Sequence, residues 1–153
     1  MIFVRTAVAV ICLLTFSPLS HAAGEPVTKQ FGKVITVYKS PSCGCCAGWA
    51  QHLRQNGFSV AIVDQYDLSE IKAQHGIGPE LQSCHTALVD GYAIEGHVPA
   101  DDIWRLLAEK PDASGLAAPG MPTMSPGMGS VQPKGYDVLL FGPDSRPSVY
   151  SRY

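Results

Sequence analysis

The sequence predicts an α/β fold with the element order βαβαββα, on three observations. From Lys33 onward, apolar runs with strand character alternate with segments of helical period. Asp90-Gly91 separates two short apolar runs, the signature of a hairpin with a two-residue turn. Cys43, Cys45 and Cys46 crowd into four residues where the first strand meets the first helix.

Each element has its own warrant. Val34, Ile35, Val37 and Tyr38 form a buried-strand pattern that Ser40-Pro41-Ser42 interrupts. Trp49, His52 and Leu53 then recur at helical spacing, so a helix is expected over Gly48 to Gln55, closed by Asn56-Gly57. Phe58 to Val63 is a second β-branched strand. Asp67 to His75 reads as a helix opened by Asp67 with Glu70 three residues on, a capping box, and ended by Gly76. Thr86 to Val89 and Tyr92 to Glu95 are the hairpin strands. Pro99 opens a last helix with Asp101 and Asp102 in the first turn, where the dipole favours anions, and Ile103, Leu106 and Leu107 inward. This order, with Cys43 and Cys46 in C-x-x-C spacing at the first strand-to-helix turn, is the thioredoxin-like arrangement. From Pro111 to Gly135 the chain turns rich in Pro, Gly, Ser and Met without periodicity, and an irregular segment is expected. Asp137 to Phe141 and Ser148 to Tyr150 read as two short closing strands.

The first 22 residues read as an export signal: Arg5 near the start, an apolar run from Ala7 to Leu14, and Ser20-His21-Ala22 as a small-x-small cleavage site. Cleavage after Ala22 removes Cys12 with the signal and leaves a loose arm over residues 23–32 and one domain over 33–153. No later apolar run approaches the ~20 residues needed to span a bilayer, so a protein free of the membrane is expected in the periplasm. Of eleven Lys and Arg only Arg5 lies in the signal; the remaining ten face thirteen Asp and Glu. That mild acidity gives no electrostatic reason to bind nucleic acid.

Four cysteines remain once Cys12 is gone. In an oxidising compartment the default is two structural disulfides, but the geometry resists it. Vicinal Cys45 and Cys46 bridge only with strain, and three thiols at one turn cannot all pair with Cys84. A helix N-terminus stabilises thiolate, which serves both disulfide exchange and soft-metal binding. In a thioredoxin-like fold the loop before the hairpin faces the C-x-x-C turn. Oxidoreductases place a cis-proline there; here it carries Ser83-Cys84-His85-Thr86. Cys43, Cys45, Cys46 and Cys84 are therefore the candidate metal ligands, with His85 added as a ligand or a hydrogen-bonding support. Met121, Met124 and Met128 add soft thioethers that suit Cu(I), with loop packing as their alternative. Copper ranks ahead of zinc, because vicinal thiols suit bridging in a cluster better than a single tetrahedral ion. His97 is expected to brace its loop, with metal contact as the alternative. His52 is expected to be a buried polar partner and His75 a complement to a helix C-terminus. Trp49 and Trp104 are expected in the core.

Ser40-Pro41-Ser42-Cys43-Gly44-Cys45-Cys46, Ser83-Cys84-His85-Thr86, Glu95-Gly96-His97-Val98-Pro99-Ala100 and the segment from Pro119 to Met128 resemble the CopG-like family of exported bacterial metal-binding proteins. The likeness covers about residues 33–130 and departs from the family at Met124 and Gly129. It implies a periplasmic thioredoxin-like protein in which Cys43, Cys45, Cys46 and Cys84 hold copper, as Cu(I) and in a multinuclear cluster, with Cu(I)/Cu(II) interconversion among the possible roles. Copper ions and other periplasmic copper-handling proteins are the implied partners. A store, a carrier and a copper oxidoreductase all remain open, and a thiol-disulfide oxidoreductase is the competing function.

Overall fold

The computed structural model describes residues 32–130, 132–143 and 145–153. The export signal and all of the arm but Gly32 lie outside the described residues. Seven strands form one mixed sheet in the order β2-β1-β3-β4-β5-β6-β7. They are β1 (Val34–Lys39), β2 (Ser59–Asp64), β3 (His85–Val89), β4 (Tyr92–Gly96), β5 (Gly115–Ala118), β6 (Asp137–Gly142) and β7 (Ser145–Arg152). The helices are α1 (Gly44–Gln55), α2 (Ser69–Gln74) and α3 (Ala100–Glu109), with a 3-10 turn at Pro79–Leu81. The thioredoxin-like βαβαββα core expected from the sequence is present, and β5, β6 and β7 extend its sheet.

Period-two alternation sends successive strand residues to opposite faces. Ile35, Val37, Ala87, Val89, Ile94 and Leu116 face α1 and α3, where Trp49, Leu53, Ile103 and Leu106 complete the main core. Ala93, Ala117 and Phe141 face the other way and pack with Ile77 and Leu81. Polar stitches lock α1 to α3 and to the segment before it. Trp49 Nε1 donates to Val98 O at 2.8 Å, Trp104 Nε1 to Asn56 O at 2.9 Å, and Ala100 N to His52 Nε2 at 3.1 Å. The last bond satisfies one of the orphan amides at the start of α3, where the N-cap residue is Pro99 and provides no side-chain cap. His52 is a polar partner of α3 but only half-buried, and Trp49 and Trp104 are in the core.

Several expectations need correction. Helix α1 begins at Gly44, four residues before Gly48, because Cys43 takes the N-cap place and its sulfur accepts from Cys46 N at 3.3 Å. Helix α2 begins at Ser69. Asp67 Oδ1 accepts from Ser69 N at 2.9 Å, while Glu70 accepts from Gln74 instead of reaching back, so no capping box forms. The segment expected to be irregular from Pro111 to Gly135 contains β5, wholly buried, parallel to β4 and antiparallel to β6. The second closing strand runs over Ser145–Arg152, longer than Ser148 to Tyr150. Asp102 is buried and does more than offset a dipole. Its carboxylate accepts from Arg105 at 3.0 Å, Ser151 Oγ at 2.5 Å and Tyr153 Oη at 2.8 Å, which fastens the end of β7 to α3.

Asp102→Ala removes three bonds to a charged acceptor at a buried site. The expected loss is about 2–4 kcal/mol, read by urea unfolding, with faster amide exchange in β7 than in β1.

Candidate metal centre

The first turn of α1 presents Cys45 and Cys46 beside the capping Cys43. Cys43 and Cys46 are joined as a disulfide with Cα atoms 5.4 Å apart, and Cys45 and Cys84 are free. The four sulfur atoms lie within 4.8 Å of one another. Cys46 Sγ is 3.5 Å from Cys84 Sγ, and Cys43 Sγ is 3.6 Å from Cys45 Sγ. One bridge, internal to the turn, thus takes the place of the two-disulfide alternative. Cys84 also meets two imidazoles: His85 Nδ1 at 3.4 Å and His97 Nε2 at 3.3 Å.

Both rings are buried and enclosed. Trp49 packs on His85 with ring centroids 4.4 Å apart, and His85 meets His97 edge-on at 5.0 Å. Burial foremost, then the neighbouring His97 and Lys72, pushes the His85 pKa well below its ordinary range. Burial lowers that of His97 as well, opposed by its bond to Pro126 O. Both imidazoles are neutral at pH 7, as ligation requires. The Cys84 thiol is pushed up to about 11, by burial first and by Cys45 second, so in the metal-free protein it stays protonated at neutral pH.

The loop carrying Cys84 is held from the opposite face of the sheet. Lys72 of α2 pairs with Glu95 of β4, both buried. Lys72 Nζ also donates to Ser83 O at 3.2 Å and Thr86 Oγ1 at 3.1 Å, while Glu95 accepts from Ser83 N at 2.6 Å and Thr86 Oγ1 at 2.7 Å. Both backbone polar groups of Ser83, the residue before Cys84, are therefore bound by one ion pair. Sequence reasoning missed this clamp, although Glu95 stands in the quoted run Glu95-Gly96-His97 and Lys72 interrupts the apolar face of α2. It also gave His97 chiefly a bracing role. The ring has both: Nδ1 donates to Pro126 O at 2.7 Å and Nε2 faces Cys84.

The methionine segment is pinned at both ends beside the cysteines. Gly120 forms a parallel bridge with Ser83, its N–H donating to Gln82 O at 2.9 Å. Gly127, at φ +87°, lies against the first turns of α1. A Cβ there would fall 2.5 Å from Trp49 N and 2.8 Å from Cys45 O, so only glycine fits. Met121 and Met124 are exposed. Met124 and Met128 line one shallow surface cavity together with Thr123, Gly129, Ser130 and Gln132. The four cysteines and His85 are thus brought together with His97, whereas the three methionines sit on a loop anchored at Ser83 and α1, with Met121 and Met124 turned to the surface.

Two outcomes are expected. Lys72→Met strands a buried Glu95 carboxylate and lowers stability by about 3–5 kcal/mol, measured by denaturant unfolding. For His85 and His97 the folded pKa lies below the unfolded one. The unfolded chain then binds more protons as pH falls past ~6.5, so stability is full above that pH and declines below it. Each ring contributes a slope of up to ~1.4 kcal/mol per pH unit. Thermal melts of metal-free protein between pH 7.5 and 5 should show the decline, and His97→Gln should reduce its slope.

A family described as "Protein of unknown function, DUF411" matches residues 81–128, the stretch from the 3-10 turn through the methionine loop. No curated protein matches the sequence. Two solved structures do, both of copper resistance protein CopG. Form 1 is 40% identical, with a TM-score of 0.73 over 79% of this chain and 97% of that one. Form 2 is 40% identical, with a TM-score of 0.74 over 80% and 98%. Identity at this level across nearly the whole length of those proteins shows that the chain belongs to the CopG family of copper resistance proteins.

Proposed function

We propose that the protein serves copper tolerance in the periplasm by holding Cu(I) at Cys43, Cys45, Cys46 and Cys84, as a thiolate-bridged multinuclear cluster. The observation that carries this reading is the approach of four sulfurs to within 4.8 Å at the start of α1. Four thiolates exceed what one Cu(I) ion needs and suit bridging, and soft sulfur donors select Cu(I). Loading requires the Cys43–Cys46 bridge to open. A thiol reductant supplies two electrons and two protons, giving four thiols whose protons leave as copper binds. In the reverse sense, two Cu(II) ions take one electron each from the Cys43 and Cys46 thiols, which lose two protons and close the bridge, releasing Cu(I). The same residues thereby interconvert the two oxidation states. His85 and the thioethers of Met121, Met124 and Met128 complete the coordination or cover it. The resemblance of the chain to copper resistance proteins favours the same metal.

A second reading is supported by the bridged Cys43–Cys46 pair at a helix N-terminus. It is a thiol-disulfide oxidoreductase acting on protein substrates.

Anaerobic Cu(I) titration of the reduced mature protein against a competing chelator separates the two. Two or more copper ions per chain are expected, with affinity falling at least tenfold in Cys84→Ser. Unchanged stoichiometry and affinity in that variant would sink the copper reading. Insulin reduction by metal-free protein, abolished in Cys43→Ser, would establish the oxidoreductase.

A further inference from the structure

The sheet has two edges, and only one of them is defended. At one end, β7 carries Arg146, Pro147 and Arg152, and its pairing with β6 is interrupted by two register shifts. Proline, positive charge and bulges are the devices that keep an edge strand from recruiting another chain. At the other end, β2 has none of them. It reads Ser-Val-Ala-Ile-Val-Asp, and it pairs with β1 in unbroken register. Among the described residues nothing pairs with its outer side. Four of the seven large apolar side chains left exposed among those residues belong to this end of the sheet: Val34, Ile62, Val63 and Tyr66.

The backbone bonds fix which groups the edge presents. Ser59 N donates to Lys33 O and Gln65 N to Lys39 O, so the odd-numbered residues of β2 turn their polar groups toward β1. Val60, Ile62 and Asp64 therefore turn theirs outward. Arg54 of α1 reaches this edge, donating from Nη2 to Val60 O at 3.4 Å. Val60 packs on the main core, so by alternation Ile62 and Asp64 project on the α1 side as well. Asp64 accepts from Lys39 at 3.2 Å, yet its side chain is still 54% exposed.

The strand complements itself in one register. A two-fold axis through Ile62 sets two copies of β2 antiparallel, with Ile62 opposite Ile62 and Val60 opposite Asp64 of the second copy. Every outward N–H and C=O of Val60, Ile62 and Asp64 then has a partner, and Val60 O keeps Arg54 on its second lone pair. Ala61 falls opposite Val63 on the other face. Asp64 comes to lie beside the Val60 carbonyl of the other copy, where that copy's Arg54 already sits. A shift by one residue sets outward groups against inward ones, and a shift by two leaves one outward residue of each copy with no partner in β2.

We propose that β2 is a dimerisation edge, on which a second copy of this chain adds antiparallel about Ile62, with reciprocal Arg54–Asp64 ion pairs fixing the register. The inference goes beyond the copper reading and does not depend on it. The cysteine turn follows the C-terminal end of β1, so antiparallel pairing places the two metal centres at opposite ends of the joined sheet.

The test is sedimentation velocity of the metal-free mature protein at pH 7 and low salt, up to about 1 mM. Reductant is present so that no intermolecular disulfide contributes. A reversible monomer–dimer equilibrium is expected. Arg54→Glu and Asp64→Lys each set like charges across the axis and should weaken self-association at least tenfold. An equal mixture of the two variants restores opposite charges at both contacts, and should regain the dimer that neither variant forms alone. Ile62→Lys should be monomeric. Circular dichroism confirms folding. Asp64→Lys also faces Lys39; should it fail to fold, Asp64→Asn replaces it, and the mixture then regains one of the two ion pairs. A monomer at every concentration, a dimer that Arg54→Glu and Ile62→Lys leave unchanged, or a mixture that fails to complement overturns the proposal. A monomer that dimerises only after residues 23–31 are deleted gives the edge to the chain's own N-terminal segment and overturns it equally.

Discussion

The buried pairing of Lys72 with Glu95 is the interaction on which the placement of the metal centre rests. A charge removed from water is tolerated only with a close partner and with its remaining hydrogen-bonding capacity filled. Here Ser83 and Thr86 fill it, on either side of Cys84 and His85. Satisfying the ion pair and fixing the loop are thus one event. Without it, the thiol that faces the α1 turn would hang from a loop of free backbone, and the four sulfurs would have no defined geometry.

Around that fixed point the site is assembled from both sides of the chain. Helix α1 contributes its first turn, strand β3 contributes His85, the residue after β4 is His97, and the methionine segment meets the site's frame through Gly120 at Ser83 and Gly127 at α1. The contact between Gly127 and α1 is one of backbone against backbone, which lets the loop come closer than any side chain would allow. Trp49 has two duties: its indole N–H ties α1 to Val98, and its ring covers His85. Stability and site architecture share these residues.

Much of this was legible in the sequence. The strand, turn and helix around Cys43 to Cys46, the Asp90-Gly91 hairpin and the convergence of Cys84 on the cysteine turn follow from local periodicity and the fold they imply. What escaped was set by tertiary context. Gly115-Leu116-Ala117-Ala118 has small side chains and no alternation; it is a strand only because β4 and β6 offer it edges on both sides. The early start of α1 escaped because sulfur is not among the usual helix-capping atoms. The Lys72–Glu95 clamp joins residues 23 apart, each of which alone reads as a solvated charge. His97 was read as a brace or a ligand, and the fold makes it face both ways.

The bond from His97 to Pro126 has a consequence for how the C-terminal segment can be dissected. That carbonyl decides which ring nitrogen carries the proton, and so whether Cys84 meets a lone pair or an N–H group. Cutting the chain before residue 126 would therefore do more than delete thioethers. It would release the imidazole to exchange between its two neutral forms and to turn in its pocket. A truncated protein with altered copper chemistry would report on proton placement in the core as much as on methionine sulfur. Replacing the methionines one at a time with leucine, with the loop left in place, keeps those two effects apart.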